Sequence, residues 1–232
     1  MSGAGARDDV VALVPAYQAA ATIADVVAGV RTRLLHVVVV DDGSDDDTAG
    51  RATAAGAEVI RHPANAGKGA ALATGFRALV ARGVGRALTL DADGQHLPGQ
   101  IPVLLAASDA EPAAIVVGVR RKAGHAIRAV NRFGNWAADE LLRLIAGQAL
   151  PDTQSGFRIY PVATTLALGV QGARYDFETE VLLRAARRRV PLVGVPVDVH
   201  YPPVAERVSH FRPGVDTIRI IASVLRVLAR PG

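Results

Sequence analysis

Short apolar runs alternate with amphipathic stretches through the first half of the chain. The runs are rich in Val, Leu and Ile and predict strands at Val10–Val14, His36–Val40, Ala57–Ile60, Arg86–Leu90 and Ala113–Val117. Stretches with helical spacing lie between them at Thr22–Arg33, Asp46–Ala55, Lys68–Ala81 and Pro98–Ala107. Continuous apolar strands are buried on both faces, so this alternation predicts an α/β fold: a mostly parallel sheet flanked by helices.

The second half of the chain is less regular. Its patterns predict helices at Ile127–Ile145, Phe177–Arg189 and Val215–Leu228, and strands at Phe157–Tyr160 and Leu192–His200. The segment Gly118–Gly124 is the best candidate for a flexible joint. No internal repeat or clear linker interrupts the sequence, so we expect residues 1–232 to form a single domain.

Composition narrows the function classes. The chain has no cysteine, which excludes disulfides, thiol catalysis and cysteine-ligated metals. No stretch reaches about 18 uninterrupted apolar residues, so no transmembrane helix is expected. The N-terminus has acids where a signal peptide would have a basic start, and we expect a cytoplasmic protein.

The charge is distributed unevenly along the sequence. Residues 1–117 carry 9 basic and 13 acidic side chains, whereas residues 118–232 carry 17 basic and 9 acidic ones. This asymmetry suggests an anionic partner for the second half, although arginines on solvated faces would produce it too. Nucleic acid is not the expected partner, because the chain shows neither an aromatic stacking set nor a recognition motif.

Two carboxylates follow the predicted strand Arg86–Leu90. Asp91 and Asp93 are two positions apart, with the carboxamide of Gln95 two further on. Past the end of a strand, a loop can turn these oxygens towards one hard divalent cation, Mg2+ or Mn2+. The alternative is an ordinary polar turn, for which Asp and Gly are common choices.

A second acidic group ends the strand His36–Val40. Asp41 and Asp42 stand side by side there and would repel each other unless they bind something. A carboxylate at this place could accept hydrogen bonds from a base N–H or a ribose hydroxyl. Further along, Asn65–Ala70 opens a helix around Lys68, and it suits either anion binding or simple helix entry.

Two later segments carry acids. Asp152 opens a polar turn before a short strand and could act as a base, orient an acceptor, or serve only the turn. Tyr175–Glu180 begins a helix with three acids, which is typical of partners for the helix dipole.

Taken in order, these motifs resemble family 2 glycosyltransferases of the GT-A fold, especially dolichyl-phosphate mannose and glucose synthases and their bacterial polyprenyl-phosphate relatives. The matching segments are Val14–Tyr17, Val40–Ser44, Asn65–Gly69, Asp91–Gln95, Gly118–Arg120, Asp152–Phe157 and Asp176–Glu180. They span nearly the whole chain. The resemblance implies a nucleotide-sugar-binding half at residues 10–117 and an acceptor-binding half at residues 118–232.

The resemblance also implies a role for each matching residue. Residues expected to bind the nucleotide sugar are Pro15, Tyr17, Asp41, Asp42, Lys68 and Asp91. Asp91, Asp93 and Gln95 would hold Mg2+ or Mn2+ against the diphosphate. Arg120 and Arg212 would contact the phosphate or the acceptor, with Val119 in place of the family's serine. Asp152 would stand where the family places its proposed base.

The implied activity is an inverting, metal-dependent transfer of sugar from a nucleotide donor to a lipid phosphate such as a polyprenyl phosphate. A hydroxyl of a glycan or a lipid is the alternative acceptor. A nucleotidyltransferase is disfavoured because Pro15–Ala21 has no glycine, and a non-catalytic binding module because the Asp91 and Asp93 pair is intact. The last helix places Arg219, Arg226 and Arg230 on one face, so it either lies peripherally on the inner face of a membrane or packs on the core.

Overall fold

A computed structural model describes residues 7–121, 151–174, 176–200, 224, 225 and 227. The strands are β1 (Val10–Ala16), β2 (Val37–Asp41), β3 (Glu58–Arg61), β4 (Arg86–Thr89), β5 (Ile115–Arg120), β6 (Arg158–Pro161) and β7 (Leu192–Val197). The helices are α1 (Ile23–Arg31), α2 (Thr48–Ala54), α3 (Lys68–Ala81), α4 (Ile101–Ala110), α5 (Val162–Ala167) and α6 (Asp176–Arg187). A short 3-10 turn, Pro98–Gln100, precedes α4.

The seven strands form one sheet in the order β3-β2-β1-β4-β6-β5-β7. Strands β1 to β4 pair in parallel, and β7 is parallel to β5. Among the strands of the described residues, only β6 runs antiparallel, to β4 on one side and to β5 on the other. Because β6 opposes both neighbours, β5 runs in the same direction as β4, and their carboxyl ends lie at the same edge. This confirms the mostly parallel sheet expected from the sequence.

Apolar side chains fill both faces of the sheet. One core joins alternate residues of β1 to α1 and α4, and includes Val10, Val27 and Leu104. The other joins the opposite face to α3 and α6, and includes Leu13 and Phe76. Burial on both faces is why the strands appear as continuous apolar runs rather than as alternating ones.

The element boundaries differ from the sequence expectation in a few places. Strand β1 extends through Pro15 and Ala16, so Pro15 is a strand residue. Gly118 to Arg120 belong to β5 rather than to a flexible joint, because they pair with Val195 to Val197. Helix α5 was not predicted from the sequence.

Two predicted helices lie largely or wholly outside the described residues. Nothing is described for Ile127–Ile145. Of Val215–Leu228, only Val224, Leu225 and Val227 are described, and they are helical. In the described ranges no helix combines the length and the apolar character needed to span a bilayer.

Candidate active site

The predicted site residues meet at the carboxyl edge of the sheet. Asp41 ends β2, Asp91 lies two residues after β4, and Arg120 ends β5. Strands β2 and β4 are separated only by β1, so their ends lie about 10 Å apart, which is two strand spacings. The open edge of a parallel sheet is where α/β proteins bind ligands. The sheet thus brings acids 50 positions apart in sequence to one side of the molecule.

Asp41 is fully buried and has one unsatisfied oxygen. Its Oδ1 accepts a hydrogen bond from the Ser44 backbone N–H at 3.0 Å. Its Oδ2 is 3.2 Å from Arg61 Nε but accepts no hydrogen bond from a described residue. Ser44 and Arg61, which contact Asp41, line a cavity of about 350 Å³ together with Gly43, Asp45, His62 and Pro63. A ligand N–H or hydroxyl could satisfy this oxygen, since a buried acceptor without a donor is unfavourable.

Asp42 organises the loop before α3. Its Oδ1 lies 2.7 Å from His62 Nδ1 and accepts the Ala66 N–H at 2.9 Å, while Oδ2 accepts the Gly67 N–H at 2.7 Å. Gly67 has φ +104°, and a Cβ there would lie 2.5 Å from the Ala173 carbonyl oxygen, so only glycine fits. These contacts explain the second acid of the pair without a ligand. Its contact with the nucleotide stays a prediction.

Lys68, the first residue of α3, joins two acids. Its Nζ lies 2.6 Å from Asp91 Oδ1 and 3.0 Å from each carboxylate oxygen of Glu178. Burial acts to lower the pKa of Lys68, but Asp91 and Glu178 outweigh burial and raise it well above its usual range. Burial would likewise raise the pKa of Asp91, but Lys68 and then His96 hold it well below its usual range. Lys68 and Asp91 are therefore both charged at neutral pH.

Glu178 is a site residue that sequence reasoning missed. It belongs to the acidic start of α6, which was interpreted as a partner for the helix dipole. Its side chain is only 5% exposed and faces Lys68, which lies 110 positions away in sequence. The only signal in the sequence was its place within a family motif, because spacing cannot pair residues so far apart.

Asp93 stands beside Asp91 in the turn after β4. Its Oδ1 accepts the backbone N–H of Gln95 at 3.0 Å. Burial, followed by the charge of Asp91, raises the pKa of Asp93 above its usual range. Gln95 also accepts a hydrogen bond through its backbone carbonyl from the His200 N–H at 2.9 Å. Asp93 thus carries a charge that its surroundings leave undercompensated.

His96 and Gly156 fix the position of Asp91. The ring of His96 stacks on Phe157 at a centroid distance of 5.0 Å, and its Nε2 is 3.5 Å from Asp91 Oδ2. A Cβ on Gly156 would come within 2.7 Å of the same Asp91 oxygen. The missing side chain at position 156 is therefore what makes room for this carboxylate.

The donor set fits a divalent cation shared with a ligand. Asp91 and Asp93 offer hard oxygen atoms. Burial, and then the charge of Asp91, raises the pKa of Asp93, and a bound cation would favour its ionised form. No group of three or more His, Asp or Glu side chains in the described ranges is placed to hold a metal. Such a cation would therefore need further oxygens, which a diphosphate can supply.

Asp152 is held by Arg120 in a two-point ion pair. Arg120 Nε lies 2.7 Å from Asp152 Oδ2, and Nη2 lies 2.9 Å from Oδ1. The Gln154 N–H also donates to Oδ1, at 3.2 Å. Burial acts to raise the pKa of Asp152, but Arg120 outweighs it and the pKa lies below its usual range. Asp152 is therefore an ionised and weakly basic carboxylate.

Arg158 supports the loop that carries Asp152. It is fully buried, and its guanidinium donates to the carbonyls of Ser155 at 2.7 Å, Thr153 at 2.9 Å and Glu178 at 2.9 Å. It therefore links the loop before β6 to helix α6. No sequence motif distinguishes this arginine from the others.

Of the remaining predicted site residues, Pro15 and Tyr17 lie at or near the end of β1, whereas Arg212 is not described. Pro15 is buried in β1, beyond Leu13, the last β1 residue that pairs with β4, so its missing N–H costs no bond to that strand. Tyr17 follows β1 at the same edge and is half-buried. Arg212 lies outside the described residues.

Comparison with known proteins identifies the class. The sequence pattern of glycosyl transferase family 2 matches residues 11–164. An undecaprenyl-phosphate mannosyltransferase of Micrococcus luteus is 33% identical over 174 residues, covering 69% of this chain and 70% of its own. A polyprenol monophosphomannose synthase of Mycolicibacterium smegmatis is 30% identical over 181 residues, covering 70% of this chain and 66% of its own.

A solved structure supports the fold. Glucosyl-3-phosphoglycerate synthase of Mycobacterium tuberculosis, crystallised with Mn2+, UDP and glucosyl-3-phosphoglycerate, superposes with a TM-score of 0.73. The match covers 96% of this chain and 81% of that one at 22% identity. The chain has the GT-A architecture and belongs to glycosyl transferase family 2, which confirms the resemblance found in its sequence.

Proposed function

We propose that this protein transfers a sugar from a nucleoside-diphosphate donor to a polyprenyl phosphate, with inversion at the anomeric carbon and with the help of Mg2+ or Mn2+. The observation that carries this proposal is the Asp152–Arg120 ion pair, because it bears on the acceptor. The relatives from Micrococcus luteus and Mycolicibacterium smegmatis are named for polyprenyl-phosphate substrates.

The donor would lie along the carboxyl edge of the sheet. The cavity beside Arg61 supports binding of a base or ribose, because Arg61 lines it and also lies 3.2 Å from Asp41 Oδ2, an oxygen that accepts no hydrogen bond from a described residue. The distance of about 10 Å between the ends of β2 and β4 suits a nucleoside whose diphosphate extends towards Asp91. Pro15 and Tyr17 lie between these two ends and would complete the nucleotide site.

Asp91 and Asp93 would hold the divalent cation, with Gln95 beside them. Bound there, the cation would neutralise charge on the leaving diphosphate. The chain's own part is to fix these carboxylates: Gly156 makes room for Asp91, and the Gln95 N–H orients Asp93. Lys68 adds a positive charge at the same place.

The state of Asp152 favours a phosphate acceptor over a hydroxyl. A general base works best when its pKa is near the working pH, whereas the pKa of Asp152 is lowered and its oxygens are held by Arg120. A phosphate monoester is already an anion and needs no base. Asp152 would then mainly orient the acceptor, and it would also hold Arg120 in place for the phosphate, with Arg212 as a further candidate contact.

The transfer would be a single displacement. An acceptor phosphate oxygen forms the new bond to the anomeric carbon, and the electron pair of the breaking C–O bond leaves with the nucleoside diphosphate. Attack opposite the leaving group inverts the configuration. Because the acceptor is membrane-bound, we also propose peripheral association with the cytoplasmic face of the membrane, supported by the basic second half of the chain.

The experiment is a matrix of donors and acceptors. The protein with Mn2+ is given UDP- and GDP-sugars together with polyprenyl phosphate, the matching polyprenol, or 3-phosphoglycerate. We expect product with polyprenyl phosphate and a rate that chelation removes. Product only with the polyprenol would assign Asp152 to base catalysis, product only with 3-phosphoglycerate would replace the acceptor, and a rate unaffected by chelator would refute the role of the metal.

Flotation of the protein with anionic liposomes tests the membrane association. Binding that weakens as salt rises would support it, since attraction between basic residues and anionic lipids is screened. The absence of salt-sensitive binding would count against the peripheral location without affecting the donor site.

A further inference from the structure

Glu178 is not a proposed ligand of the cation, but it contacts Lys68, which in turn contacts the proposed ligand Asp91. The ammonium of Lys68 lies between two carboxylates, 2.6 Å from Asp91 Oδ1 and 3.0 Å from both oxygens of Glu178. All three side chains are at most 30% exposed. One buried positive charge is thus shared between a proposed metal ligand and a second acid.

Both ends of this arrangement are fixed by the fold. Lys68 begins α3, directly after the loop that Asp42 holds through the N–H groups of Ala66 and Gly67. Glu178 lies in the first turn of α6, and Arg158 binds its backbone carbonyl at 2.9 Å. The backbone positions of Lys68 and Glu178 are therefore both fixed, and these positions keep the Lys68 ammonium in contact with Glu178 as well as Asp91.

The contacts of Lys68 bear on cation binding. Its ammonium contacts the carboxylates of both Asp91 and Glu178. Without Glu178 the ammonium would lose one of its two carboxylate contacts, and it would compete more strongly with a metal for Asp91. Coulomb interactions are strong in a partly buried site, so this competition matters.

We propose that Glu178 is a positioning residue for the cation site: it draws the Lys68 ammonium partly away from Asp91 and leaves Asp91 able to bind a divalent cation. This inference rests on the proposed metal-dependent function. It concerns only how the chain's own charges are distributed. In this proposal Glu178 acts through Lys68 rather than by binding the cation or the sugar donor itself.

The test measures Mn2+ binding directly, by the loss of the free-ion electron paramagnetic resonance signal, in the presence of UDP or GDP. We expect Glu178→Gln to raise the Kd for Mn2+ about tenfold, which corresponds to about 1.4 kcal/mol. Saturating Mn2+ should restore the transfer rate, which a merely structural defect would not allow. The milder Glu178→Asp, which keeps the charge, should have an intermediate effect.

Glu180→Gln is the matched control. Glu180 lies in the same helix, is fully buried and binds Arg184 and the Gly172 N–H rather than Lys68. We expect it to leave the Kd for Mn2+ within about twofold of the wild type, whatever its effect on the melting temperature.

A double-mutant cycle with Lys68→Met separates the roles. If Glu178 acts through Lys68, Glu178→Gln should weaken Mn2+ binding much less in the Lys68→Met background. An equal effect in both backgrounds would overturn the proposal. A wild-type affinity for Mn2+ in Glu178→Gln would also overturn the proposal. If Glu178→Gln does not fold, a wild-type affinity in Glu178→Asp would overturn it instead. A wild-type protein that binds no Mn2+ with either nucleotide would instead refute the metal-dependent function, and this inference with it.

Discussion

Arg120 and Asp152 form an ion pair with two hydrogen bonds, from Nε to Oδ2 at 2.7 Å and from Nη2 to Oδ1 at 2.9 Å. The pair joins the last residue of β5 to the loop that precedes β6, and the Asp152 side chain is only 16% exposed. Two-point arginine–carboxylate pairs fix direction as well as charge. The proposed acceptor side of the site therefore has a preset geometry.

Replacing Arg120 should change the pH dependence of transfer. Arg120 holds the pKa of Asp152 below its usual range, so Arg120→Gln should raise that pKa. Activity that depends on the ionised carboxylate would then be lost at a higher pH on the acid side. We expect the acid limb of the kcat/KM profile for the acceptor to move upwards and the maximum to fall at least about tenfold.

Arg121→Gln is the control for that shift. Arg121 is the next residue along, is 65% exposed and meets Asp198 at 3.4 Å rather than Asp152. Its replacement should leave the pH profile in place. An unchanged profile in Arg120→Gln would mean that Asp152 does not need this partner to stay ionised.

Gly156→Ala should damage the cation site while barely affecting the rest of the fold. The added methyl would lie 2.7 Å from Asp91 Oδ2, so Asp91 must shift. We expect the apparent Mn2+ requirement to rise and transfer to fall by about a hundredfold, since misplacement by an ångström is costly in catalysis. The control is Gly99→Ala, where a Cβ meets nothing within 4 Å. Equal activity in the two variants would contradict this account.

Much of the fold could be predicted because both faces of the sheet are buried. Strand β1 is a continuous apolar run, and so is β2 up to Asp41, while β4 is largely buried; the polar residues at or after the strand ends mark the carboxyl edge. The antiparallel direction of β6 could not be predicted, because the sequence of a four-residue strand does not indicate whether it pairs with its neighbours in parallel or antiparallel.

The candidate site was predictable only in part. Asp41 and Asp91 could be found because acids directly after buried strands need a reason to be there. Glu178 could not, because its partner lies 110 positions away and an acid in a first helical turn already has an ordinary explanation. Asp42 illustrates the opposite case. The sequence predicts that it binds a ligand, but in the structure it also stabilises its own loop by accepting the Gly67 N–H.

Arg158 should contribute more to stability than any exposed arginine in the described ranges. It donates to several buried carbonyls, and hydrogen bonds from charged donors are the stronger ones. We expect Arg158→Met to lower the free energy of unfolding by about 3 kcal/mol or more in urea titrations. Tyr160→Phe, which removes only the 3.2 Å contact to Nη1, should cost about 1 kcal/mol. A loss no larger in Arg158→Met than in Tyr160→Phe would refute this role.

Asp93→Asn should separate stability from activity. Burial and the nearby Asp91 raise the pKa of Asp93 in the folded protein, so the folded state binds this proton more tightly than the unfolded one. The ionised form therefore costs stability above the folded-state pKa, and the cost disappears as the pH falls below the unfolded value of about 3.9. Removing the charge should raise the melting temperature at neutral pH and change little near pH 3.

The same variant should lose its response to metal. Mn2+ should raise the melting temperature of the wild type, because it binds the folded state, but should not raise that of Asp93→Asn. Transfer should fall at least about a hundredfold.

Asp109→Asn is a control that should change stability in the opposite direction. Arg7 and Arg86 lower the pKa of Asp109, so the ionised form of Asp109 stabilises the fold above its unfolded pKa. Loss of this charge should therefore lower the melting temperature slightly. Calorimetry of both variants with and without Mn2+ checks these signs, and a destabilised Asp93→Asn at neutral pH would show that the fold already compensates the Asp93 charge.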